Sequence, residues 1–167
     1  LRAYAYVMSL GAEGLKEVAE LSILNNNYML KHLLSIPGVS APYAEGRHRV
    51  EQVRYSWEKL KQDTGVGTDD VGRRMVDFGV QTYFRSHHPW VLPEPFTLEP
   101  VETYSKADID EYIAIIRQIS HEAYTNPEFV KNAPHNSTIS KIDPEPLNDI
   151  NRLAVTWRAY RKKLNLG

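Results

Sequence analysis

At 167 residues, with 42% hydrophobic, 25% charged and 10% aromatic residues, the chain has the length and composition of one globular domain. A net charge of −1 and a pI near 6.7 argue against a nucleic-acid module or a polybasic membrane anchor, and no apolar run approaches the ~20 residues of a membrane span. The absence of cysteine excludes thiol nucleophiles, cysteine-based zinc sites and disulfides, and it fits a cytoplasmic location.

Leu1 to Leu10 is in helical register from the first residue, with Ala3, Tyr6, Val7 and Leu10 on one stripe. A helix starting there leaves its first four backbone N–H groups without partners, so the expectation is a piece of a longer polypeptide. The helical pattern continues to about residue 35, interrupted or bent at Gly11 and Gly14. Leu15, Val18, Ala19, Ile23, Met29, Leu30, Leu33 and Leu34 form its apolar side. Asn25-Asn26-Asn27 is poor helix material, though each Asn costs only about a few tenths of a kcal/mol. Ile36-Pro37-Gly38 ends the segment.

After a loop over 39–48, Val53, Tyr55 and Trp57 alternate with Arg54, Ser56 and Glu58, the period of a strand with one buried face. A turn follows at 63–67. Thr68 is the expected N-cap of a helix with Asp69 and Asp70 at its positive end, burying Val71, Met75 and Phe78 and stopping at Gly79. Val80 to Phe84 reads as a second strand and Phe96 to Leu98 as a third, with a Pro- and His-rich loop between them. Ser105 and Asp108 make a capping box for a helix with Ile109, Tyr112, Ile113, Ile116, Ile119 and Ala123 on one stripe. Residues 126–146 carry four prolines and should be extended. Leu147 to Leu164 could form a last helix, with Ile150, Leu153, Ala154 and Trp157 inward and a basic end at Arg158, Arg161, Lys162 and Lys163. This order predicts an α+β fold, a small antiparallel-type sheet with helices on one face. Its regions are 1–35, 36–125 and 126–167.

The chemistry-bearing residues do not assemble into a complete site. His87-His88 could bind a metal or move protons, but neighbours in an extended loop point to opposite faces. The other histidines are scattered, so surface or hydrogen-bonded loop residues are the commoner outcome. Glu99 and Glu102 could act as an acid/base pair, yet such residues more often border a strand end. Asp108, Asp110 and Glu111 favour the dipole of the helix they open, and Arg73-Arg74 reads as a solvated helix face. Arg54 and Arg85 could each grip a carboxylate or phosphate, or sit in a surface ion pair. Gly65-Val66-Gly67 lacks the remainder of any phosphate-binding fingerprint.

Two passages are more distinctive. One is Asp77-Phe78-Gly79 with Glu99-Pro100-Val101-Glu102-Thr103-Tyr104-Ser105-Lys106 downstream. The other runs from Asn126-Pro127-Glu128-Phe129 to Asn132-Ala133-Pro134-His135-Asn136. With Met8 to Leu15 and Ile23 to Tyr28, they resemble the C-terminal part of glycine dehydrogenase (decarboxylating), the P-protein of the glycine cleavage system. The closer match is its separate second subunit, and the resemblance covers Leu1 to about Asp143. It implies the small C-terminal domain of an aspartate-aminotransferase-type (fold-type I) enzyme, entered through a linking helix over 1–35. It also implies pyridoxal 5′-phosphate in the full-length parent, where the ring is an electron sink while carbon dioxide leaves glycine. The aminomethyl group then passes to the lipoyl H-protein. The implied partners are the rest of the same subunit, a partner P-protein subunit and the H-protein, with no nucleic acid and no membrane.

The family's Schiff-base lysine lies in a His-Lys motif upstream of the region resembled here. None of this chain's nine lysines follows a histidine. The piece alone is therefore expected to be inactive, with no catalytic, cofactor-binding or metal-binding residue of its own. Arg54, Tyr83, Arg85, His87 and His88 are the candidates to face the cleft. Where the family reads Asp-x-Gly-Phe-His-Pro-Pro-Thr, this chain has Asp77-Phe78-Gly79-Val80-Gln81-Thr82-Tyr83-Phe84. Where the family has His-Glu before the first strand, it has Glu51-Gln52. These departures keep two alternatives open: a divergent pyridoxal-phosphate enzyme acting on another amino acid, and a non-catalytic interaction module.

Overall fold

A computed structural model describes residues 1–87, 90–143 and 156–165. Among these the order is α1 (Arg2–Leu33), β1 (Val53–Ser56), α2 (Glu58–Thr64), α3 (Thr68–Asp77), β2 (Pro95–Leu98), α4 (Lys106–Thr125), α5 (Pro127–Lys131) and α6 (Trp157–Lys163). The fold is α+β. β1 and β2 pair antiparallel, from Val53 opposite Leu98 to Ser56 opposite Pro95. Single bridges add Ser40 beside Ser56 and Phe84 beside Thr97.

The aromatic strand residues explain the core. Tyr55 and Trp57 are fully buried, and both stack on Phe96 of β2 with centroids 4.9 Å apart. Tyr83 approaches the same ring, also at 4.9 Å. Such pairs across a sheet contribute beyond their buried area. Leu33, Leu60, Met75, Ile116, Ile119 and Val130 close around them from five helices. The α4 stripe falls where its periodicity predicts, with Tyr112 only partly buried. Its capping box forms too: the Asp108 N–H donates to Ser105 Oγ at 3.2 Å and Ser105 N–H to Asp108 Oδ2 at 2.8 Å.

Several expectations are corrected. α1 breaks at Gly11, whose φ is 64°, whereas Gly14 stays helical. Ala19, Ile23 and Leu34 are exposed rather than part of the apolar side. The strand alternation stops at Ser56, because its Oγ accepts the Glu58 N–H at 3.1 Å and donates to Pro93 O at 2.6 Å. A serine hydroxyl used in this way turns the chain out of the strand, and α2 begins at Glu58, which otherwise continues the strand pattern. Thr68 is the first residue of α3, not its cap; Gly67 is the cap and donates its N–H to Asp70 Oδ2 at 2.9 Å.

Val80 to Phe84 does not form a second strand. Only its end reaches the sheet, where Thr97 donates its N–H to Phe84 O at 2.7 Å and its Oγ1 to Arg85 O at 3.0 Å. Residues 127–131 are helical rather than extended, because Asn126 caps and Pro127 occupies the first turn, where its missing N–H costs nothing. Trp157, expected inward, is 69% exposed on α6. The expected inward positions Ile150, Leu153 and Ala154 lie outside the described residues. Among the described residues, no helix is long and apolar enough to cross a membrane.

Candidate functional site

The two passages behind the family resemblance meet at one charged cluster. Asp77 Oδ1 accepts the backbone N–H groups of His135 and Asn136, both at 2.6 Å, and Oδ2 accepts Arg74 Nη1 at 2.8 Å. Arg74 also forks onto Glu122, at 2.8 Å from Nε and 3.2 Å from Nη2. Its guanidinium lies 4.7 Å from the ring centroids of both Phe78 and Phe129. Phe129 stacks on His135 at 4.2 Å. Arg74 is thus buried, not part of a solvated face, while Arg73 pairs with Asp70.

Burial alone would raise the Asp77 carboxyl, but the Asn136 N–H, the Arg74 guanidinium and the His135 N–H together hold it below the usual range. Glu122 is likewise penalised by burial, yet Arg74 and Gln118 bring it below its ordinary value. All four carboxylate oxygens of Asp77 and Glu122 have partners within the fold. The effect of the cluster is to brace the chain leaving α3 against the 132–136 loop.

The five expected cleft residues fare differently. Arg54 stands exposed on the outer side of β1, opposite Thr97. Tyr83 is 7% exposed, and its hydroxyl donates to Thr68 O at 2.6 Å, so it ties the 80–84 segment to the start of α3. Its phenol pKa is pushed well up, mainly by burial. Arg85 pairs with Asp69 at 2.5 Å across the surface. His87 is exposed, with its ring edge-on to Phe84 at 5.0 Å. His88 lies outside the described residues.

Two cavities flank the sheet. The larger, about 500 Å³, lies between the 80–84 segment, the end of β2 and the first turns of α4; Gln81, Thr82, Glu99, Asp108 and Glu111 line it. The smaller, about 390 Å³, is lined by Tyr43, Ala44, Arg49, Glu51, Gln52 and Arg54. Both departures from the family pattern therefore sit on cavity walls: Gln81-Thr82 on the larger and Glu51-Gln52 on the smaller. Asp108 is held low in pKa by its hydrogen bonds to Ser105 and serves as a cap.

The walls of both cavities are tied to one turn of α1. Asn25 Nδ2 donates to Val101 O at 3.0 Å and Tyr104 O at 3.1 Å. Asn26 Nδ2 donates to Glu51 O. Asn27 accepts the Arg49 N–H at Oδ1 and donates to Arg49 O through Nδ2, both at 2.8 Å. The Asn run thus makes long-range bonds that no local reading reveals.

The profile described as "Glycine dehydrogenase, C-terminal domain" matches residues 18–141. The chain belongs to the glycine dehydrogenase C-terminal domain family. A relative in Pyrococcus furiosus, named "probable glycine dehydrogenase (decarboxylating) subunit 2", is 39% identical over all of this chain and 32% of its own length. A relative of the same name in Thermotoga maritima is 36% identical over 86% of this chain and 29% of its own length. The chain therefore spans about a third of the length of these relatives. A solved structure of the glycine decarboxylase P-protein of the glycine cleavage system, in inhibitor-bound form, shares the fold. It superposes with a TM-score of 0.56 over 68% of this chain and 24% of its own, at 18% identity.

The cofactor that the family implies carries a phosphate and needs a lysine amine. No lysine lines either cavity, and the larger is walled by carboxylates without a cation. These cavities do not fit that group. Among the described residues, no three His, Asp or Glu side chains are grouped to hold a metal ion. The cavity-lining residue that sequence reasoning missed is Arg49. Arg47-His48-Arg49 is visible as a basic stretch, but its placement depends on Asn27, 22 residues away.

Proposed function

We propose that this chain is the C-terminal portion of a cytoplasmic, pyridoxal-phosphate-dependent glycine dehydrogenase (decarboxylating), subunit 2. The full enzyme releases carbon dioxide from glycine and delivers the aminomethyl group to a lipoyl carrier protein. The observation that carries this reading is the family match over residues 18–141, supported by 39% identity along the whole chain. The cofactor and its lysine belong to the two thirds of the relatives' length that this chain does not span. The role of this portion is to form one wall of the substrate cleft and part of the contact with the partner subunit. Arg54 and His87 are its free-standing cleft side chains, and His88 is the further candidate by sequence. Tyr83 and Arg85 set the position of the segment that bears the histidines.

The test uses the full-length protein with its partner subunit. Glycine-dependent exchange of bicarbonate into the substrate carboxyl is expected, together with the absorbance of bound cofactor. Arg54→Ala and His88→Ala are expected to lower the exchange rate while leaving cofactor absorbance in place. If both variants exchange like the parent, the cleft assignment fails. If another amino acid is decarboxylated and glycine is not, the substrate reading fails.

A further inference from the structure

We infer that Arg49 and Arg54 form one binding site for a small anion, a carboxylate or phosphate group, in the 390 Å³ cavity beside β1. This deepens the reading of Arg54 as a cleft residue by giving it a partner and a ligand class.

Charge is the first argument. Arg73, Arg74 and Arg85 are each matched to an acidic partner. Among the described residues, neither Arg49 nor Arg54 forms an ion pair. Glu51 shares the cavity, but its side chain is exposed and makes no ion pair there, so two guanidinium groups outweigh one carboxylate. A cavity with such an imbalance attracts an anion.

Chemistry is the second. A guanidinium presents a planar fork of donors that fits two oxygens of a carboxylate or phosphate. Gln52 and Tyr43 line the same space and add neutral donors without adding charge.

Preorganisation is the third. The Arg49 backbone is held on both its N–H and its C=O by Asn27, and Glu51 O by Asn26. Arg54 is fixed in the ladder opposite Thr97. Only side-chain ends have to order on binding, which keeps the entropic cost low.

The experiment maps arginine reactivity in the full-length enzyme. Phenylglyoxal labels guanidinium groups, and peptide mass spectrometry reports each one separately. Labelling of Arg49 and Arg54 is expected to fall together, about tenfold at a probe concentration about ten times its dissociation constant. Exposed Arg47 should be unaffected. Protection by inorganic phosphate and not acetate assigns a phosphate ligand; protection by acetate and not phosphate assigns a carboxylate. Arg54→Lys keeps the charge but loses the fork, and it is expected to weaken protection of Arg49. Unchanged labelling of both arginines in the parent at high phosphate and high acetate overturns the proposal, with no variant needed. If protection is seen while Arg54→Ala leaves glycine exchange untouched, the anion site stands and the cleft reading of Arg54 fails.

Discussion

Asp77 shows how much one carboxylate can hold. Its side chain is 1% exposed, and both oxygens are engaged by groups from two distant parts of the chain. Asp77→Ala leaves two backbone N–H groups and one side of Arg74 without acceptors. The expected loss is about 3–5 kcal/mol, the range for breaking one partner of a buried pair. Urea unfolding of the variant checks it; a loss below about 1 kcal/mol counts against the brace. Acid should act on the same atoms. Asp77 and Glu122 are both depressed in the folded state, so they bind protons more readily when unfolded. Their contribution is complete above the ordinary carboxylate range and is lost as pH falls through their lower folded values. The urea midpoint is therefore expected to be flat from pH 7 to about 5 and to drop below about pH 4. A midpoint unchanged at pH 3 refutes it. The sequence displays Asp77-Phe78-Gly79 and Ala133-Pro134-His135 as two separate signatures. It does not show that one receives the other, because the contact spans 58 residues.

At the level of elements, legibility follows how local the determinant is. α3 and α4 are readable because capping, periodicity and termination all act within a turn or two. α2 is hidden because a serine hydroxyl redirects the chain out of a convincing strand pattern. The close approach of the turn after α1 to α2 is set by Gly38, at φ 82°. A Cβ there would lie 2.8 Å from Leu60 Cβ and 3.2 Å from its Cα. Gly38→Ala thus combines a left-handed backbone with a collision against helix backbone. A loss of about 2 kcal/mol or more is expected. Thermal unfolding measures it, and a melting temperature equal to the parent's shows that α2 can move aside.

For the whole molecule, the three long helices α1, α3 and α4 and the sheet sense were legible, while the short helices α2 and α5, the strand number and both cavities were not. The cavities arise where loops from different parts of the sequence face each other, and no periodicity encodes that. The stripe read over early α1 is left uncovered, with Tyr6 and Val7 45% and 47% exposed, and Tyr4, Met8 and, further along, Leu24 add apolar surface at 69%, 65% and 62%. A surface of this kind is a place for protein contact. The isolated chain is expected to self-associate with rising concentration in light scattering, and Val7→Lys with Met8→Glu should reduce that. A strict monomer at high concentration removes this surface from consideration as a contact.

Asn25, Asn26 and Asn27 are about 100° apart around one helix, and so reach three directions from a single turn. Two of those directions end on the wall of the smaller cavity, and the third on the stretch from Val101 to Tyr104 beside the larger one. α1 therefore works like a shaft with three teeth. Sliding it by one residue, about 1.5 Å, exceeds the slack of hydrogen bonds of ordinary length, so the teeth disengage together. Whatever shifts the part of α1 beyond Gly11 moves both cavities in step, or neither.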